Sequence, residues 1–410
     1  MHIPTLREIL KSYLILITIG SASMIVITVK YMRKDLTGTV IDVKSWLKAA
    51  YFGCGINFIG YGERFAVLRY AHIDPNTKTF SIPCTERKPD YYFVQGGVKG
   101  NILTVKEWMK ENILNDWMEN MTVYSYYYIK KNRMSVIKTP TFAVNRVEAH
   151  NLYHAMCEWY SLFLISYLLN FDPKQVAILF MDDRPPNILD ETWDTLFGEI
   201  TRYNTIPSDN VYKALIWNIY GYESLMNIPT LTRLPYVTEF RNFILDSFKL
   251  PQHKSLNCNR LRITVILRRD YRSHPELTSG IVLRKFYNNS EVLGVVQSVF
   301  YGHEVRGIYL EYFSMKEQIE MITQTDILVG MHGAGMSHIL FLPKHAACFE
   351  IFPKYVNYYT FFKAFSRWRR TKYVSWKNQD SDNEFPEFKT KIPIHVLVSH
   401  LKTLKRRVCI

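Results

Sequence analysis

The segment Thr325-Asp326-Ile327-Leu328-Val329-Gly330-Met331-His332-Gly333-Ala334-Gly335-Met336-Ser337-His338 runs from an apolar, β-branched stretch through a glycine-rich turn into a helix-like stretch. Such a unit gathers free backbone N–H groups and the positive end of a helix dipole at one point, which suits an anion such as a diphosphate. His332, Gly333, Ala334 and Gly335 are therefore candidate binding residues, with His332 placed to donate to a phosphate oxygen. A turn needed only for tight packing would carry similar letters. The glycines at 330, 333 and 335 do not form G-x-G-x-x-G, and no G-x-x-x-x-G-K-[ST] is present. His332-Gly333-Ala334-Gly335 has the form of an esterase oxyanion turn, but the chain lacks the matching G-x-S-x-G.

Two further groups could share that chemistry. Arg268 and Arg269 directly follow the strand-like run RITVIL, at the rim where ligands of parallel sheets sit, and guanidinium groups suit phosphates. Glu350, in the run ACFEIF, could accept from ribose hydroxyls. Asn151, His154 and Glu158 fall at spacings of three and four, on one face of a predicted helix. His154 or Glu158 could act there as a base removing a hydroxyl proton, with Asn151 lining the same cleft. A satisfied polar cluster holding the helix is the competing reading. No H-E-x-x-H or C-x-x-C occurs, and metal binding is not expected.

The surrounding pattern must position these groups. Residues 151–169 are apolar without Gly or Pro, a buried helix. Val176–Met181 reads as a buried strand, 190–198 as a helix, Lys213–Trp217 as a strand and 235–248 as a helix. Pro251–Asn259 is a polar linker. Strands at Arg262–Leu267, Val305–Leu310, Asp326–Val329, Ala347–Phe352 and Lys372–Trp376 then alternate with helices at Ser290–Val299, Ser314–Thr323, 335–341 and Tyr358–Ser366. Ser314 and Glu317 have capping-box spacing. This alternation predicts a parallel sheet with right-handed crossovers. The fold class is α/β, with two facing Rossmann-like domains: an acceptor-side domain over 35–250, a nucleotide-binding domain over 255–376, and a tail with a closing helix over 377–410.

The 410-residue chain carries a net charge of +14, which favours anionic partners. No nucleic-acid motif accompanies the charge, and no nucleic acid is expected as a partner. Residues 12–29 are uncharged and mostly apolar, which reads as a signal-anchor span within a segment over 1–34; a cleaved leader is the alternative. Either sends the chain into the secretory lumen. Asn120 and Asn288 head N-x-[ST] tripeptides and are candidate glycosylation sites. Six cysteines permit disulfides, and Cys54 with Cys84 is the expected pair.

The run from Thr325 to Pro353, together with Arg262–Arg272, Lys372–Pro386 and Asn151–Glu158 (matching N-x-x-H-x-x-x-D, with Glu for Asp), resembles glycosyltransferase family 61. The resemblance implies a GT-B fold and an inverting transfer from a UDP-sugar without a metal or other cofactor. It implies that Arg268, His332, Gly333, Ala334, Gly335 and Glu350 line the nucleotide site, and that Asn151 and His154 face the reaction cleft. The implied donor is UDP-N-acetylglucosamine, with UDP-xylose as an alternative. The implied acceptor is a Ser or Thr hydroxyl of a lumenal or secreted protein domain, such as an EGF-like domain, with the enzyme in the endoplasmic reticulum or Golgi membrane. A non-catalytic lumenal binding protein on the same fold is the rival.

Overall fold

Runs that are apolar on both faces, such as RITVIL, DILVGM and ACFEIF, can be buried only where a sheet is covered on both sides. The computed structural model puts them there. It describes residues 40–61, 64–84, 121–219, 221–252, 254–272, 279–357 and 359–409. The expected membrane span over 12–29 and Asn120 lie outside these residues. Among the described residues no helix is long and apolar enough to cross a membrane.

The C-terminal sheet has five strands in the order Glu304–Tyr309, Arg262–Leu267, Ile327–Met331, Ala347–Phe352, Lys372–Lys377. Every pair is parallel. One face carries Ile263, Val265, Val329 and Phe349, under helices Asn289–Val299 and Ile394–Val408. The other carries Ile266, Leu328 and Cys348 and joins a larger core. Helix Met315–Thr323 opens on the expected capping box: Ser314 Oγ accepts the Glu317 N–H at 3.3 Å, and the Glu317 carboxylate accepts the Ser314 N–H at 2.8 Å. The segment after the glycine turn, Ala334–Phe341, is a 3₁₀-helix rather than an α-helix.

The N-terminal half is less regular than a plain Rossmann-like domain. Its seven-stranded sheet runs Ala50–Gly53, Phe58–Tyr61, Phe65–Leu68, Leu215–Trp217, Thr141–Val144, Ala177–Phe180, Ile200–Arg202. The first three strands form an antiparallel meander, and parallel pairing begins only at Leu215–Trp217 with Thr141–Val144. A second, five-stranded mixed sheet contains Ala71–Asp74, Thr79–Pro83 and Asn210–Tyr212. The expected α/β class holds, with the correction that a mixed double sheet takes the place of the first Rossmann-like unit.

Helix Leu152–Leu168 joins the two halves. Its residues pack in the same core as the 3₁₀-helix Ala334–Phe341 and helix Phe361–Arg369. Tyr153 rests on Phe361, Phe362 and Phe365 with centroids 5.3, 5.9 and 6.0 Å away. A helix wanted by both cores must be apolar nearly all round, which explains its composition.

Cys54 and Cys84 are bonded as expected, and Cys258 is bonded to Cys409. The second bridge ties the linker ahead of the parallel sheet to the end of helix Ile394–Val408 across 151 residues of sequence. Closing so long a loop removes chain entropy from the unfolded state. Replacing both Cys258 and Cys409 by Ser is expected to cost about 2–4 kcal/mol, read from urea unfolding under non-reducing conditions.

Candidate functional site

The strand order of the C-terminal sheet reverses between Arg262–Leu267 and Ile327–Met331, since their onward crossovers leave in opposite directions. Such a switch point opens a crevice beyond the carboxyl ends of the two strands. Arg268 follows the first strand and His332 follows the second. Arg268 Nη1 donates to the His332 carbonyl at 3.3 Å. A Cβ on Gly333 would lie 2.2 Å from that Nη1, so the guanidinium lies where a side chain would be. Gly333 is extended (φ 160°), and glycine is required here for room rather than for a special backbone angle. Gly335 is crowded in the same way by Leu310 Cδ1, at 2.8 Å from a built Cβ. Ala334 sits between them, half-buried.

His332 is held on several sides. Its Nδ1 lies 2.5 Å from Glu350 Oε1, and its ring stacks on Phe352 and Tyr359 at 4.8 and 5.6 Å. The other Glu350 oxygen accepts from the Tyr373 hydroxyl at 2.6 Å. Glu350 is fully buried with both oxygens engaged, so it orients His332 and is not placed to take ribose hydroxyls as expected from the sequence. Burial lowers the His332 pKa against the opposing pull of Glu350, and the charges of Arg284 and Arg268 add to the lowering. A neutral ring that gives its Nδ1 proton to Glu350 presents Nε2 as an acceptor. It donates to a phosphate oxygen only after taking up a proton.

Arg284 is a site residue that sequence reasoning missed. It sits in left-handed backbone (φ 62°), its N–H donates to the Tyr355 hydroxyl at 3.2 Å, and its buried Nε has no partner. Burial and then the charge of Arg284 push the Arg268 pKa down to about 10. Burial likewise lowers the pKa of Arg284. Neither guanidinium forms an ion pair with a carboxylate within 4 Å among the described residues, although Glu311 and Glu148 act on them from farther away. Arg269 differs: it pairs with Glu311 at 2.9 Å and lies over the Tyr312 ring, half-exposed.

Across the gap, Asn151 caps helix Leu152–Leu168, its Oδ1 accepting the Tyr153 N–H at 3.0 Å. Its Nδ2 donates to Glu148 Oε2 at 2.7 Å. His154 Nε2 lies 3.5 Å from Glu148 Oε1, while Nδ1 is buried without a partner beside the Tyr153 and Tyr222 rings. Burial lowers the His154 pKa, and Glu148 opposes that. Asn151 and His154 are thus brought together with Glu148, the second residue missed. Glu158 is not in this group. It is buried, its Oε1 accepts the Val147 N–H at 2.8 Å, and it packs under Gly221, so it braces the loop at 147 rather than facing the cleft as a base. The two sides meet through rings: His154 touches Tyr153, Tyr153 touches Phe362, and Phe362 touches His332 at 5.3 Å.

Among the described residues no group of three or more His, Cys, Asp or Glu side chains could hold a metal ion. Asn288 is exposed and caps helix Asn289–Val299 through Oδ1, which a glycan on its amide nitrogen would leave in place.

Gly333→Ala is expected to fold but to displace the Arg268 guanidinium, lowering pyrophosphate affinity about tenfold or more by the loss of a charge-assisted hydrogen bond, as read by calorimetry. Burial raises the Glu158 pKa from 4.5 to about 8. Its folded-state value thus lies above its unfolded value, and stability falls as pH rises from about 4.5 to about 8. Glu158→Gln is expected to flatten that slope, so its unfolding midpoint gains on the wild type from pH 5 to pH 8.5.

Residues 152–349 match the family model described as Glycosyltransferase 61. A beta-1,2-xylosyltransferase from Oryza sativa subsp. japonica is 26% identical over 264 residues, 58% of this chain and 49% of that protein. The beta-1,2-xylosyltransferase of Arabidopsis thaliana is also 26% identical, over 52% of this chain and 47% of its own length. The EGF domain-specific O-linked N-acetylglucosamine transferase of Rattus norvegicus is 24% identical over 73% of this chain and 58% of its own length. The chain spans about half the length of these curated relatives. A solved structure, a glycosyl transferase family 9 protein from Veillonella parvula, aligns with TM-score 0.35 at 6% identity, over 67% of this chain and 99% of its own, too faint a likeness to assign a fold. The matched segment runs from the helix carrying His154 to the strand beside Glu350, and takes in Arg268, Arg284 and the glycine turn. The likeness to Glycosyltransferase 61 thus covers residues 152–349, the part of the chain that carries most of these side chains.

Proposed function

We propose that the protein is an inverting glycosyltransferase that moves a sugar from a UDP-sugar to a hydroxyl of a protein acceptor. The observation that carries this reading is the pair of unneutralised guanidinium groups, Arg268 and Arg284, beside the glycine turn at the switch point. Two crowded cations with no carboxylate partner match a diphosphate, and they oppose the charge that builds on it as the sugar leaves. In this reading they supply the positive charge that a divalent cation supplies elsewhere. His332, fixed by Glu350, offers Nε2 to the donor, and the acceptor hydroxyl enters from the side of Asn151 and His154.

The relatives' names offer two sugars, N-acetylglucosamine and xylose, and one acceptor, an EGF domain. We favour UDP-N-acetylglucosamine and a Ser or Thr acceptor in lumenal or secreted domains, with UDP-xylose as the alternative. Two disulfides suit an oxidising compartment, and a lumenal enzyme anchored by residues 12–29 in the endoplasmic reticulum or Golgi membrane fits them. A GT-B-like arrangement would put the donor on the parallel sheet and the acceptor on the mixed half, the two being joined through helix Leu152–Leu168.

UDP is expected to raise the unfolding midpoint, because only a ligand of the folded state does so. Arg268→Ala and Arg284→Ala should each weaken UDP about 10- to 100-fold, on the order of 1.5–3 kcal/mol for a hydrogen bond to a charged group. His332→Ala should lower UDP release from UDP-N-acetylglucosamine and UDP-xylose at least tenfold, about the cost of one positioned polar group. No midpoint shift with millimolar UDP would dismiss the nucleotide-sugar reading, and unchanged turnover in His332→Ala would remove His332 from the site.

A further inference from the structure

We propose that Glu148, and not His154, takes the proton from the acceptor hydroxyl, with His154 and Asn151 as positioning residues. This rests on the glycosyltransferase reading above. On the acceptor side, the Glu148 side chain is more open than that of His154, 38% exposed against 13%. Glu158 is buried and committed to the Val147 N–H. His154 has no nitrogen to offer. Nε2 lies 3.5 Å from the Glu148 carboxylate, while Nδ1 is buried beside the Tyr153 and Tyr222 rings.

The carboxylate is held for the task. Asn151 commits Oδ1 to the Tyr153 N–H, which fixes its amide so that Nδ2 donates to Glu148 Oε2. His154 steadies Oε1. Each oxygen keeps a lone pair for a further donor, and an acceptor hydroxyl is one. The groups facing Glu148 are Asn151 and His154 beside it, Tyr222 on the 3₁₀-turn Gly221–Glu223, and Arg284 from the parallel-sheet side. Arg284 lies within electrostatic reach of Glu148 as well as of Arg268, which links the acceptor-side carboxylate to the arginine pair.

In the step itself, the acceptor oxygen bonds to the anomeric carbon as the bond from that carbon to the diphosphate oxygen breaks. The bonding pair leaves with UDP, beside Arg268 and Arg284. The acceptor proton passes to Glu148, and the carboxylic acid then loses it to water.

The test measures kcat for UDP release from UDP-N-acetylglucosamine and UDP-xylose across pH, alongside the midpoint shift with UDP. Glu148→Gln is expected to lower kcat about 100-fold or more, the size of a lost general base, with the UDP shift unchanged and the acidic limb of the pH profile gone. Glu148→Asp should lower kcat less and keep that limb, which covers the case in which the amide fails to fold. His154→Gln should displace the limb with a smaller loss. Turnover within threefold of wild type in Glu148→Gln overturns the assignment, as does a larger loss in His154→Gln than in Glu148→Gln. Failure of the wild type to bind UDP sinks the parent reading instead.

Discussion

The guanidinium of Arg268 occupies the space a side chain at residue 333 would fill, and much of the site depends on that contact. It holds a cation over the turn instead of letting it extend into water. A second cation, Arg284, is brought in near it and disfavours the charge of Arg268, while partial burial lowers the pKa of both. Proteins normally bury such charges only with a partner. Here the nearby carboxylates are engaged elsewhere: Glu350 with His332 and Tyr373, Glu311 with Arg269, Glu148 with Asn151. The crevice has positive charge to spare and shape enough to select what neutralises it.

Sequence legibility followed burial. Strands such as Arg262–Leu267 and Ala347–Phe352 are covered on both faces, so burial imposes an unbroken apolar run with defined ends, and pattern alone locates them within a residue or two. The capping box at Ser314 was legible because both partners lie within one helical turn. The N-terminal half was not, since its strands are three to five residues long and their partners are remote: Leu215–Trp217 pairs with both Phe65–Leu68 and Thr141–Val144. The helix at 151–169 was recognised, but its all-round burial records a second core that its own sequence cannot name.

At the site, spacing revealed which residues share a face but not which of their atoms were already engaged. Glu158 follows His154 at helical spacing and looked equivalent to it, yet its carboxyl is taken by a backbone N–H of another loop. Glu350 stands on the correct strand but spends both oxygens inside the protein. The two missed residues escaped for a related reason. Arg284 comes from an irregular stretch with left-handed backbone, where no periodicity exists to notice. Glu148 precedes the helix cap and is tied to it by the bond from Asn151, a contact that periodicity does not reveal.

Fixing one partner to free another recurs on both sides of the cleft. Glu350 holds Nδ1 of His332 and leaves Nε2 for the donor proposed above, and Asn151 holds one oxygen of Glu148. The second restraint matters, because a carboxylate paired with Arg284 would neutralise the charge meant for the diphosphate and lose its own basicity. The bond from Asn151 helps to keep the acid in electrostatic reach of the cation but out of contact with it. The aromatic bridge from Tyr153 through Phe362 to His332 supplies the remaining condition, a fixed width between the two sides. A donor bound to the arginines then completes the charge balance that the protein alone leaves open, and Glu148 keeps a lone pair on each oxygen for the acceptor hydroxyl.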